Sequence, residues 1–186
     1  KHDLTGDAAE ACYARQAGEI LATVNLYLAQ VADMVIKHDG TLDKYIGDCV
    51  MAFWGAPAPT PHHALACVRA AVDAQRAIFD LNQRRAAENK SIEVENVRRA
   101  AAGEAPLPLR PLLQLGTGIN TGVVTVGLMG SEQHLRNYTV FGREVNLASR
   151  LEGVSGRGRI VISETTYRHL LRDDPGLAAT CIALPP

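Results

Sequence analysis

An α/β sandwich, with helices covering a mostly antiparallel sheet, is the fold class this chain predicts, and three observations lead there. Helical and strand-like patterns alternate along it in the order helix, hairpin, helix, hairpin, helix, strand, helix. Its 186 residues, 47% of them hydrophobic, suffice for one domain with a real core, and no second domain is needed. A formal charge of -1 gives no electrostatic footprint for a nucleic acid partner.

The first element runs from about Ala8 to Lys37. Ile20, Val24, Leu28, Val31 and Val35 fall there at steps of three or four, the period of one long helix or of two broken near Gly18. Asp7 and Glu10 have capping-box spacing, and His38-Asp39-Gly40 supplies the stop. In the next stretch, Gly40 to Pro57, the apolar runs Leu42 to Ile46 and Cys49 to Trp54 flank Gly47-Asp48. This pattern predicts a tight β-hairpin with a carboxylate at its tip. After a proline-rich turn, Thr60-Pro61 makes an N-cap and first-turn pair for a second helix. That helix carries Leu65, Val68, Val72 and Phe79 on one side and is expected to run to about Ala87.

The segment from Glu88 to Arg110 is weakly periodic and charged, and Gly103, Pro106 and Pro108 mark its later part, with Pro111 directly after it. It reads as a solvated insertion, a frayed helical extension leading into an extended linker. Beyond it, Leu112 to Ile119 and Val123 to Met129 are expected to pair as a hairpin through Asn120-Thr121-Gly122. Tyr138 to Phe141 is a short β-like run, and Glu144 to about Gly153 a helix burying Val145, Ala148 and Leu151. A strand at Arg159 to Ile162 and a last helix, capped by Ser163 and running through Leu171, complete the order.

No uninterrupted apolar run approaches the roughly 20 residues that cross a bilayer, and the N-terminus lacks a signal-peptide layout. The expectation is a cytoplasmic domain making no membrane contact itself, whose parent could be anchored through other segments. Cys12, Cys49, Cys67 and Cys181 include no CxxC pair, so reduced, mostly buried thiols are expected rather than a zinc site or disulfides. No GxxxxGK[ST] run is present, which excludes a P-loop as the phosphate cradle.

Four features carry chemistry. A hard carboxylate on a rigid turn suits Mg²⁺ in nucleotidyl transfer, although an acid in such a turn often serves only the turn; this is Asp48. Lys44 lies mid-strand among apolar residues, where a lysine ordinarily snorkels to the surface. Asn146 and Arg150, four apart on a helix, share one face, either as a solvated stripe or as ligands for an anionic substrate.

Two long motifs, GTLDKYIGDCVMAFWGAP from Gly40 and NYTVFGREVNLASRLEG from Asn137, resemble the class III adenylate and guanylate cyclase catalytic domain. The similarity extends from VNLYL in the first helix to RIVISETTYRHL near the C-terminus. It implies the class III variant of the ferredoxin-like sandwich, one cyclase catalytic domain over 1–186. By resemblance, Asp48 bridges two divalent metal ions, Mg²⁺ or Mn²⁺. Lys44 donates to the purine ring nitrogen that is unprotonated in adenine, and Thr139 accepts from the exocyclic amine, which points to ATP. Asn146 orients the ribose and Arg150 binds the α-phosphate. The implied reaction forms 3′,5′-cyclic AMP and pyrophosphate by in-line attack of the ribose 3′-hydroxyl.

Family domains work as head-to-tail dimers, so a homodimer is implied, with metal carboxylates of one subunit meeting Lys44, Thr139, Asn146 and Arg150 of the other. The alternatives are a guanylate cyclase, which would place an acid at position 44, and a catalytically weak module that binds nucleotide or dimerises. The family pattern also opens with a strand ending in Asp-Ile-x-Gly-Phe-Thr and closes with a strand and a triphosphate-binding lysine. Neither matches here, so the domain is expected to be incomplete at both ends. Asp3-Leu4-Thr5-Gly6 echoes the opening motif in part, which makes Asp3 a candidate second metal ligand or simply a polar lead-in to the first helix.

Overall fold

The structure is a computed structural model and describes residues 7–131, 134 and 136–184. Asp3 lies outside them, as does the side chain of Asp7. Helix α1 (Asp7–Lys37) is continuous through Gly18. Its stop is a Schellman arrangement: the Gly40 amide donates to the Val35 carbonyl (2.9 Å) and the Asp39 amide to that of Ile36 (3.1 Å). The left-handed residue is Asp39 (φ 58°), a type that tolerates this conformation. Gly40 is needed for a different reason, since a Cβ there would lie 2.6 Å from the Trp54 ring.

The hairpin of β1 (Thr41–Ile46) and β2 (Cys49–Phe53) is antiparallel, as the sequence predicts. Its base is fixed by Trp54 Nε1 donating to the His38 carbonyl (2.8 Å) and by Thr41 Oγ1 donating to that of Ala56 (2.6 Å). Helix α2 (His63–Ala101) departs from expectation at both ends. Its N-cap is His62, with no side-chain cap bond, while Thr60 only accepts from the His63 ring (3.2 Å). The helix also continues well past Ala87. Phe79 is 61% exposed, because the buried stripe follows Leu65, Val68, Ala71, Ala74, Ile78 and Leu81.

What extends α2 is a polar seam. Asn82 pairs through its amide with both backbone groups of Leu113 (2.7 and 2.9 Å), Asn89 with those of Arg110 (2.9 and 2.6 Å), and Asn96 with those of Leu107 (2.9 and 2.6 Å). Seven helical residues rise about 10.5 Å, and three residues of a polyproline-type segment about 9.3 Å, so the two repeats stay in step. The segment expected to be a frayed helix and linker is therefore a helix with a proline-rich strap fastened along it.

Strand β3 (Thr117–Ile119) pairs in parallel with β6 (Ile160–Ile162), and β4 (Thr125–Gly130) pairs antiparallel with β5 (Arg136–Phe141). The expected hairpin between the segments before and after Gly122 does not form. Helix α3 (Arg143–Ser155) lies directly on β3, so close that a Cβ on Gly118 would collide with the Glu152 nitrogen and the Ala148 carbonyl. Helix α4 (Glu164–Asp173) starts where predicted, with Ser163 Oγ accepting from the Thr166 amide (3.2 Å), and a short α5 (Pro175–Ala178) follows. Leu65, Val68, Ala71, Ile119, Leu170 and Ala178 form the main core, and Ala74, Ile78 and Leu115 a second cluster covered by Tyr27, Val31 and Met34 of α1.

Two further expectations change. Ala17–Lys37 (21 residues, mean hydropathy 1.4) is long and apolar enough to cross a membrane by length and composition, which scattered polar residues such as Glu19 and Asp33 concealed. Among the cysteines, Cys49 and Cys181 are exposed. Burial pushes the Cys67 thiol up to about 12.

Candidate active site

The β1–β2 hairpin and the β5–α3 junction bring the sequence-predicted residues together in part. Lys44 on β1 donates from Nζ to Thr139 Oγ1 on β5 across 3.0 Å. Ninety-five residues of chain separate the two, so this contact is a product of the fold. Thr139 in turn donates to Asp43 Oδ2 (2.7 Å), and Lys44 Nζ stands 3.4 Å from Asp43 Oδ1. Phe53 and Tyr138, with ring centroids 6.2 Å apart, hold the hairpin against β5.

Asp43 was not singled out in the sequence. Side chains alternate along a regular strand, which would send residues 43 and 44 to opposite faces. Here the register slips between them: Leu42 faces Ala52 while Lys44 faces Met51, so Asp43 is the extra residue of a β-bulge. The bulge turns both side chains towards Thr139. Nothing in TLDKYI marks that slip.

Asp48 sits in the turn after Gly47 (φ 62°), exposed, and no hydrogen bond or ion pair engages it among the described residues. Its charge, with that of Glu152, reaches Tyr27 and Cys49. The Tyr27 hydroxyl is pushed up to about 12, chiefly by burial, and burial likewise raises the Cys49 thiol. No group of three His, Cys, Asp or Glu side chains that could hold a metal occurs among the described residues. One free carboxylate still fits a Mg²⁺-type ion, which commonly takes one or two carboxylates and fills its octahedron with water and substrate phosphates.

Asn146 and Arg150 are exposed. At 100° per residue they lie opposite Ala148 and Glu152, whose backbone rests on Gly118, so the packing of α3 on β3 directs both outwards. Asn120 Nδ2 donates to the Glu144 carbonyl (3.0 Å) and carboxylate (2.8 Å), which anchors the first turn of α3. The structure thus joins Lys44 and Thr139, sets Asn146 and Arg150 on an exposed face of α3, and leaves Asp48 exposed at its hairpin tip. Two clefts elsewhere, one lined by Pro57, Pro59 and Pro61 and one by Gln75, Phe79 and Leu113, touch none of these residues. The site is an open face of one chain.

An α+β fold with this layout is that of the nucleotide cyclase catalytic domain. Residues 6–181 match the family model for the adenylate and guanylate cyclase catalytic domain, and the chain belongs to that family. Among curated relatives, adenylate cyclase 1 of Rhizobium meliloti is 32% identical over 141 residues, 76% of this chain and 18% of its own length. The adenylate cyclase of Anabaena cylindrica is 30% identical over 154 residues, 82% of this chain and 26% of its own length. This chain therefore spans about a quarter or less of these relatives. Among solved structures, the guanylyl cyclase Cya2 superposes with a TM-score of 0.63 at 33% identity, over 82% of this chain and 67% of its own. The adenylyl cyclase CyaB from P. aeruginosa gives 0.59 at 32% identity, over 92% and 72%.

Proposed function

We propose that this chain is the catalytic domain of an adenylate cyclase, converting ATP to 3′,5′-cyclic AMP and pyrophosphate. The observation that carries the reading is the contact between Lys44 and Thr139, a donor and an oxygen side by side at a distance suited to the edge of one base. The adenine ring nitrogen accepts from the ammonium, and the exocyclic amine donates to the hydroxyl oxygen. An acid at position 44 would suit guanine instead. The names of the Rhizobium meliloti and Anabaena cylindrica relatives support the same choice.

Asn146 orients the ribose, and the planar fork of Arg150 binds α-phosphate oxygens as charge builds on them. Asp48 holds divalent cation, which when bound neutralises phosphate charge and favours ionisation of the 3′-hydroxyl. Asp48 and Arg150 are both exposed, and the complete site is assigned, as the family resemblance implies, to a homodimer at the subunit interface. The exposed apolar side chains Ile46, Leu128, Met129 and Phe141 around it support that assignment. The domain is placed in the cytoplasm, where ATP is at hand.

Cyclic nucleotide production from ATP and from GTP, with Mg²⁺ or Mn²⁺, tests the reading beside Asp48→Ala. Cyclic AMP from the wild type, reduced about 100-fold or more in the variant, is expected. Absence of product, or preference for GTP, would overturn it.

A further inference from the structure

We propose that Asp43 sets the purine preference of this site. Placed by the β1 bulge, it accepts the hydrogen bond of the Thr139 hydroxyl and leaves that oxygen able only to accept from a base. The inference rests on Lys44 and Thr139 being the base-reading pair.

A threonine hydroxyl has one proton and two lone pairs and can rotate to serve either a donor or an acceptor. Left free, it would meet the amine of adenine or the carbonyl of guanine almost equally well. Here its proton points at Asp43 Oδ2 across 2.7 Å, and a carboxylate can only accept. One lone pair of Oγ1 receives the Lys44 ammonium at 3.0 Å. The other lone pair is all that remains for a base, and it suits an amine. Carbonyl oxygen against it would set two acceptors face to face.

The surroundings make that polarity hard to reverse. The Asp43 side chain is 0% exposed, so no water competes for the proton it receives. Thr139 is itself only 1% exposed and lies beneath Lys44, whose flexible stem must swing aside for a base to reach the oxygen. Asp43 Oδ1 is ready for that movement. It is buried with no hydrogen-bond partner, yet stands 3.4 Å from the Lys44 ammonium. Buried acceptors are rarely left unpaired, and this one is matched when the ammonium shifts towards it. Asp43 is thus a positioning residue for both members of the pair, and the pattern offered to the base is fixed as one donor and one acceptor.

The test compares kcat/KM for ATP and GTP in the wild type and in Asp43→Asn, whose amide restores the ambiguity by offering either a donor or an acceptor. The ATP-to-GTP ratio is expected to fall about tenfold in Asp43→Asn, while Thr139→Ser, which keeps the hydroxyl, retains the wild-type ratio. An equal loss with both nucleotides would reduce Asp43 to a structural part and overturn the inference. A second measurement needs no variant at Asp43. The triphosphate of 6-methoxypurine riboside keeps the adenine ring acceptor but presents an acceptor oxygen at position 6, and the wild type should use it at least tenfold less well than ATP. Equal use would overturn the inference even if Asp43→Asn failed to fold. A wild type inactive with ATP would remove the adenylate cyclase reading itself, whereas an ATP-specific wild type with an unchanged ratio in Asp43→Asn would remove only the role of Asp43.

Discussion

Two halves of this molecule use similar apolar residues to different ends. In one, α2, β3, β6 and α4 close around Leu65, Val68, Ile119 and the fully buried Leu170. In the other, the two hairpins leave Ile46, Leu128 and Phe141 57%, 67% and 46% exposed, on the elements that bear the proposed site residues Lys44, Asp48 and Thr139. The first half satisfies itself within one chain. The second is finished as a surface, and its exposed apolar groups are of the kind that mark an interaction face. Stability and activity should therefore respond to different substitutions.

The largest effect is expected in the closed half. Leu170→Ala removes a fully buried side chain from the main core and should cost about 2 to 5 kcal/mol in denaturant unfolding. Arg150→Ala, on the open face, should leave the unfolding midpoint nearly unchanged while cyclic AMP formation falls about 100-fold or more. A shared loss of stability in both variants would break the division. The strap along α2 sharpens it on a smaller scale. Asn82→Ala strips both backbone groups of part-buried Leu113 and should cost about 1 to 3 kcal/mol, whereas Asn96→Ala, on exposed Leu107, should cost under about 1 kcal/mol.

The smallest effect is electrostatic. Hydrogen bonds from Lys37 and His38 hold the Asp73 carboxyl at about 2, below its ordinary 3.8. A depressed value means that the folded state binds this proton less readily than the unfolded chain does. The resulting stability is complete above about pH 4 and is lost as the pH falls towards 2. Asp73→Asn should flatten that part of the acid-unfolding curve and leave stability at pH 7 to pH 8 without extra slope.

How far the sequence foretold this molecule depended on the distance over which its signals act. Local signals read well: the Gly47-Asp48 hairpin, the Ser163 cap and the outward face of Asn146 and Arg150 all follow from neighbours a few residues apart. Pairing read poorly where the partner was remote. The strand at Thr117 looked like half of a hairpin with the segment after Gly122, but its neighbour is β6, more than forty residues on. The asparagines at 82, 89 and 96 were visible at a constant spacing of seven, yet polar residues in a charged helix ordinarily face water, so their backbone partners were missed. Lys44 and Thr139 were legible through family resemblance. Asp43 was not, because a bulge reverses the face on which strand alternation would place it.

The central claim is that the open half becomes an active site only against a second copy of the chain. Mixing Asp48→Ala chains with Arg150→Ala chains tests it most directly. Each variant alone lacks one component at every interface site, whereas a mixed dimer carries one site with both defects and one with neither. Cyclic AMP formation should recover to about a quarter of the wild-type rate after equal mixing and exchange. A mixture that stays inactive, although both variants are folded and form dimers, would contradict the account.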